Sequence, residues 1–317
     1  MNLSGLFKPE PLHIPDGFLS LPIAILFWVL TAVFVGLALR RTRDELGERQ
    51  IPLMGVIAAF IFAAQMINFP IAGGTSGHLL GGALAAIVLG PWTGILVMTT
   101  VVGVQALFFQ DGGLLVMGAN IFNMGILTVL IGYGLYRAVE KRSQGIRFLA
   151  AGLGAWLSVL AGALATALQL WLSGTSVLNI VLPAMLGVHA LIGIGEALIT
   201  VAALAFISQT RPDLLAAHEE GRGRGWIIAG ALISLAVVLI SPLASASPDG
   251  LERVAIDLGF IGQGQDAPYQ ILPDYTLPFL GESPISTIAA GVLGLILVGG
   301  ILYLITRTMK PSPAKET

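Results

Sequence analysis

Nine apolar runs, at about 18–40, 51–69, 78–90, 91–109, 115–137, 147–172, 183–208, 226–243 and 285–306, constrain this chain more than any other feature. A bilayer core is crossed by roughly 17–25 helical residues, and most of these runs are that long. Only 11% of the 317 residues are charged, against about 25% in soluble domains. The fold class follows: an all-α polytopic membrane protein, with lipid as its solvent. The third run is the short one. Gly90-Pro91 stops it and restarts the fourth, so the third is expected to begin part-way into the membrane.

Charge sets the expected orientation. With the N-terminus outside, alternate crossings leave 40–50, 137–147, 209–225 and the C-terminal tail in the cytoplasm. These regions hold 14 of the 16 Lys and Arg; Lys8 and Arg253 are the exceptions. That is the positive-inside bias, and it predicts a multi-pass protein of a bacterial or archaeal cell membrane with a cytoplasmic C-terminus. A net charge of −2 offers no basic face for nucleic acid. Residues 1–12 carry Lys8, Glu10 and two prolines, with no apolar segment of the kind a secretory signal needs. Residues 1–208 read as a block with short connections, 209–225 as a linker, and 226–317 as two spans around an outside loop at 244–284. No internal repeat is evident, so an inverted-repeat carrier gains no support.

With no cysteine and four histidines in the chain, thiolate metal sites are excluded and each imidazole needs a reason. His13 lies in His13-Ile-Pro-Asp-Gly-Phe-Leu-Ser20 at the entrance to the first span, and His78 lies in the Gly-rich stretch 73–82. Both fall at the expected outer face, a placement that suits capture of a transition-metal ion. The plainer reading makes His13 a partner of Asp16 and lets His78 satisfy a loop carbonyl. Neutral imidazole serves nickel, cobalt, zinc and copper alike, so ligand type leaves the ion open. Asn68, Thr75, Ser76, Gln105, Asn120 and Asn123 add polar groups near the same ends of their spans, defining a polar cup capped by the N-terminal segment. Asp111-Gly-Gly113 makes an outside turn. His189 and Glu196, two turns apart on one helix, share a face; Glu196 is the one carboxylate within the expected spans. A structural or subunit-coupling role suits this pair better than ligation. His218, beside Glu219 and Glu220, reads as a solvated cytoplasmic residue.

HIPDGFLS at 13–20, PLMGVIAAFIFAAQMINFP at 52–70, GGTSGHLLGG at 73–82, FQDGG at 109–113, GANIFNMG at 118–125 and LPAMLGVHALIGIGEALIT at 182–200 resemble the cobalt/nickel uptake family CbiM/NikM. SPDGLERVAIDLGF at 247–260 resembles the PDGLE domain of the accessory subunit NikN, related in role to CbiN. The resemblance implies an M–N fusion: a CbiM/NikM-like domain at 13–208, with a seven-helix S-component block, followed by a NikN-like domain at 226–317. It implies the substrate-binding S subunit of an energy-coupling-factor ABC importer, not itself an enzyme and without a prosthetic group. Nickel or cobalt is its cargo, and a Q-type coupling subunit and two O-type ATPases are its partners. The sequence contains no G-x-x-x-x-G-K-[ST] loop for ATP. Family members hold the metal in a nearly planar set of nitrogens: a terminal amine, the amide and ring of a histidine in position two, and a second histidine. By motif these histidines are His13 and His78. The PDGLE-like fusion tilts the expectation towards nickel.

This sequence departs from the family where Leu12 precedes His13, since a peptide-bonded Leu12 offers no amine. The expectation is that residues 1–11 are absent from the native protein, through a leucine start codon read as Met or through trimming; N-terminal sequencing decides it. Asp16, Asn68, Thr75, Ser76, Gln105, Asn120, Asn123 and Leu12 are then expected around the metal rather than on it. The rival class is a stand-alone, ion-coupled secondary transporter with Glu196 as its protonatable group. An intramembrane metalloenzyme is disfavoured by the lack of an H-E-x-x-H pair.

Overall fold

The computed structural model describes residues 13–45, 50–211 and 225–309. Leu12, His218, the linker from 212 to 224 and the C-terminal tail beyond 309 lie outside the described residues.

Each apolar run becomes a helix. They are α1 (Leu21–Glu45), α2 (Gln50–Gln65), α3 (Gly82–Leu89), α4 (Pro91–Val104), α5 (Met117–Ile121) leading into α6 (Thr128–Ala138), α7 (Gln144–Leu172), α8 (Leu178–Thr210), α9 (Gly225–Ile240) and, after the short α10 (Gly250–Asp257), α11 (Pro284–Thr308). Among the described residues, seven helices are long and apolar enough to cross a membrane. Leu21, Ile25, Val29 and Val33 recur every four residues on α1 and are all exposed, a stripe that only lipid or another apolar partner would cover. The chain is a multi-pass membrane protein.

Two expected spans come out shorter. The second is 16 residues, and the third shrinks to the eight residues of α3, because the backbone from His78 to Gly81 is irregular, with Gly81 left-handed at φ +83°. At 1.5 Å per residue α3 covers only about 12 Å, less than half a bilayer core. α8 also starts earlier than expected, at Leu178, with Pro183 accommodated inside it near its start.

Three features interrupt the helical pattern. A hairpin of β1 (Phe69–Ile71) and β2 (Thr75–Gly77) pairs Phe69 with Gly77 and Ile71 with Thr75. α4 continues through a π turn at Gln105–Phe109, and a second π turn at Phe122–Leu127 links α5 to α6. Finally, the loop after α9 carries α10, whose first residues are the Gly250-Leu251-Glu252 of the PDGLE motif. Asp249 caps that helix, its carboxylate accepting from Glu252 N at 2.7 Å.

The inner core joins α2, α4, α9 and α11 through Met54, Ile61, Phe62, Met98, Val101, Val238 and Val298. A second apolar cluster packs Ile14 and Phe18 of the N-terminal segment against Ala167 and Leu170 of α7, Val181 and Met185 of α8, and Leu251 and Val254 of α10. The N-terminal segment is therefore buried under the C-terminal loop. Gly17 shows how closely they approach: at φ +90° it could hold a Cβ only 2.0 Å from the Gln263 carbonyl oxygen.

Candidate metal centre

The N-terminal segment is fixed by polar contacts that its own sequence supplies. The Asp16 carboxylate accepts from the backbone N–H groups of Leu114, Leu115 and Val116 at 2.9–3.2 Å, just ahead of α5. Asn120 pairs with the peptide groups of Ile14 in both directions, accepting from its N–H at 3.1 Å and donating to its carbonyl at 3.0 Å. Gln265 N donates to the Asp16 carbonyl at 2.8 Å, tying the segment to the C-terminal loop. Gly112, at φ +96°, passes so close beneath that a Cβ would stand 2.8 Å from His13 Cβ.

His13 does not pair with Asp16, contrary to the plainer sequence reading; Asp16 is occupied by the three N–H groups. His13 Nδ1 instead lies 3.0 Å from the Asp111 carbonyl oxygen and 3.3 Å from its carboxylate oxygen Oδ1. A carbonyl can only accept, so Nδ1 carries the hydrogen of this bond, and in the neutral ring the lone pair then lies on Nε2. His13 Nε2 is buried and has no hydrogen-bond partner among the described residues. Leaving such an acceptor unpaired costs about 1–3 kcal/mol.

His78 shows the same arrangement, its Nδ1 donating to the Leu79 carbonyl at 2.9 Å, and His189 donates to the Met185 carbonyl at 2.8 Å. The His13 and His78 rings stand 5.9 Å apart, centre to centre, at 78°. Two imidazoles on one ion, each at ~2.1 Å, have ring centres no more than ~6.5 Å apart, so this pair is within shared-ligand reach. Both rings, with His189, Asn120, Asn123 and Asp249, line one cavity of about 70 Å³. Among the described residues no three His, Asp or Glu side chains cluster closely enough to hold an ion by themselves.

Glu196 holds the irregular segment after His78. Its two oxygens accept from Leu80 N at 2.6 Å and Gly81 N at 2.9 Å, and Gln65 Nε2 donates to the Leu80 carbonyl at 2.9 Å. Irregular backbone at membrane depth must have its polar groups satisfied inside the protein, and these bonds do that.

The remaining sequence candidates divide. Asn123 lines the cavity and forms a reciprocal amide pair with Gln169 at 2.8 Å. Thr75 and Ser76 face the C-terminal part: Thr75 Oγ1 donates to the Pro248 carbonyl at 3.0 Å and Ser76 Oγ to the Ser247 carbonyl at 2.7 Å. Asn68 is buried away from the cavity lining, its carbonyl accepting from Ser245 N at 2.8 Å. Gln105 is likewise not in the lining and donates to Tyr275 Oη at 3.0 Å. Two residues that sequence reasoning passed over stand here. Asp111 was legible only as a turn residue. Asp249 belonged to the PDGLE motif, but nothing local placed it beside His13 and His78. Burial pushes the Asp249 carboxyl up to about 8, against the opposing pull of its bond from Glu252 N.

The profile of the CbiM family, the cobalt uptake substrate-specific transmembrane region, matches residues 13–214, and that of the PDGLE domain matches residues 224–311. The chain belongs to the CbiM family. It is 39% identical over 306 residues to the putative fused nickel transport protein NikMN of Archaeoglobus fulgidus, covering 93% of this chain and 98% of the relative. The fused nickel transport protein NikMN of Rhodobacter capsulatus is 28% identical over 333 residues, covering 90% and 95%. A crystal structure of a truncated transition metal transporter superposes with a TM-score of 0.57 at 34% identity, over 62% of this chain and 98% of that one. The family is one of nickel and cobalt transport, and metal uptake is the activity the membership assigns to this chain.

Proposed function

We propose that the chain is the substrate-specificity subunit of an energy-coupling-factor importer, capturing Ni²⁺ or Co²⁺ at the outer face between His13 and His78. The observation that carries this reading is the single cavity that the His13 and His78 rings line together, 5.9 Å apart. Imidazole in its neutral form binds a divalent ion without first losing a proton. A planar nitrogen set favours Ni²⁺, in keeping with the nickel transport named for the fused relatives.

Uptake needs an engine that this chain's sequence does not carry. A Q-type coupling subunit and two O-type ATPases supply it, and ATP hydrolysis there drives the loaded site inward. The chain itself is non-catalytic. The N-terminus lies outside and the C-terminus in the cytoplasm, as the distribution of Lys and Arg supports. The loop at 244–284 arranges the N-terminal capture segment, a role supported by the bonds from Gln265 to Asp16 and from Ser76 to Ser247. Glu196 is a structural clamp; with both oxygens engaged by backbone N–H groups it is poorly suited to the proton-carrier role that a secondary transporter would ask of it.

His78→Ala tests the site. The purified variant, with its N-terminus defined, is expected to lose stoichiometric nickel while keeping its expression and assembly; unchanged metal content would move the site elsewhere. Reconstitution tests the engine: accumulation of metal in vesicles lacking the ATPases would establish a secondary carrier instead.

A further inference from the structure

We infer that the loop between α9 and α11 builds an anteroom for the hydrated divalent cation, where Glu252, Asp266 and Asp274 gather the ion by charge before it reaches the histidines. The inference rests on the reading of the His13–His78 cavity as the capture site.

A second cavity, of about 350 Å³, lies between the N-terminal segment, the turn at 110–113 and this loop. His13 and Asp249 line it and also line the metal cavity, so these two residues belong to the wall between the two spaces. His13 is only 4% exposed, and its Nε2 has no hydrogen-bond partner among the described residues. A buried polar group without a partner calls for a ligand or water, whichever of the ring nitrogens finally takes the ion. Six waters of a hydration shell fill roughly 180 Å³ in the liquid, so the outer cavity takes a hydrated ion whole. At the histidines, imidazole nitrogens must replace some of that water.

The charge of the outer cavity has one sign. Residues 244–284 hold six Asp and Glu and a single basic residue, Arg253. Arg253 pairs with Asp257 at 2.9 Å and is not in the lining, nor is any Lys or Arg among the described residues. Glu252, Asp266 and Asp274 are in the lining, beside the shared Asp249. Carboxylates around a cleft with low-dielectric walls focus the field and raise the local concentration of cations.

The roof that carries them is stitched down on both sides of each acidic residue of the turn region. Gln265 N, next to Asp266, donates to the Asp16 carbonyl at 2.8 Å, and Tyr269 Oη donates to the Leu107 carbonyl at 2.8 Å. Leu272 N donates to the Phe108 carbonyl at 3.0 Å, and Tyr275 Oη donates to Asp111 Oδ2 at 2.6 Å, so Asp274 is held between two anchors. A hydrated ion that exchanges water slowly binds through an encounter complex, and a fixed acidic roof raises the occupancy of that complex. The carboxylates then act on the rate of arrival and not on the coordination of the bound ion.

Glu252→Gln, Asp266→Asn and Asp274→Asn together remove the charge and keep the shapes; Asn also suits the left-handed backbone at 274, where φ is +49°. The full chain, its N-terminus defined, is mixed with Ni²⁺ in uncharged detergent, and binding is followed through the ligand-field band of the bound ion. In about 0.01 M salt the triple variant should bind roughly threefold more slowly or worse, with the off-rate and the band at wild-type values. In about 1 M salt, where screening reaches down to about 3 Å, the two proteins should bind equally fast. Equal on-rates in low salt overturn the inference. A changed off-rate or band also overturns it, since the carboxylates would then be ligands. Should the triple variant fold poorly, Asp266→Lys, at an exposed position, must slow binding in low salt, and an unchanged rate is again fatal. Failure of the wild-type protein to bind nickel, or wild-type binding by His78→Ala, would instead remove the capture site, and the anteroom would fall with it.

Discussion

The two imidazoles that face one another across the cavity are anchored from opposite directions. His78 belongs to an irregular segment pinned from within the bundle, where Glu196 of α8 and Gln65 of α2 take up the backbone groups of Leu80 and Gly81. His13 belongs to a buried segment held by strangers in sequence: Asp111, Asn120 and, through the C-terminal loop, Gln265. One wall is part of the helical scaffold; the other depends on three chain segments arriving together.

The strongest test of the fixed wall is Glu196→Ala. It leaves the Leu80 and Gly81 N–H groups without their acceptor, and two orphaned donors of this kind should cost about 3 kcal/mol or more. The expected outcome is loss of folded, monodisperse protein in detergent, read by size-exclusion chromatography. Glu196→Gln, which keeps one acceptor, should fall between. Equal stability for wild type and Ala would erase the contrast between the walls.

Damage to the assembled wall should separate binding from folding. Gly112→Val drives a branched side chain into His13 at a left-handed position, so nickel binding should fall at least tenfold while the helical content by circular dichroism holds. Deleting 244–284 should likewise reduce metal uptake more than assembly with partner subunits. Equal losses of both would make the loop part of the scaffold.

The smallest effect concerns pH. Asp249 rises from 3.8 to about 8 on folding, so the folded state binds the extra proton between those values. Its contribution to stability is therefore fully present at low pH and is lost as pH climbs through about 8. Asp249→Asn retains a capping acceptor and never ionises, so its melting temperature should gain on wild type by a few degrees from pH 4 to pH 8. A margin that does not change with pH would mean that Asp249 is ionised throughout.

Composition and apolar runs made the helical membrane fold readable, and Gly90-Pro91 marked the break between α3 and α4 before any coordinates. The shortening of α3 was half-visible, because a Gly-rich stretch argues for irregular backbone without saying where it ends. The π turns left no trace: Gln105 and Asn123 are too few polar positions for one additional residue per turn to shift a pattern. The hairpin at 69–77 was hidden because three-residue strands carry too little alternation to register. For the site, local motifs exposed His13, His78 and the amides. The Asp111–Tyr275 contact had no local signal, since a tyrosine in a Pro-rich loop looks the same whether it meets solvent or a buried carboxylate.

The π turns at 105–109 and 122–127 bear on how this chain tolerates change. Each adds a residue to a helical winding, and so rotates everything beyond it relative to an uninterrupted α-helix. Removing a single amino acid from either stretch would let the winding revert to α and leave the following side chains facing as they do now, because the π turn has absorbed the extra residue. In the α-helical turns on either side the same deletion would swing everything beyond it by roughly 100°. A one-codon deletion should therefore be forgiven at these two places and not beside them.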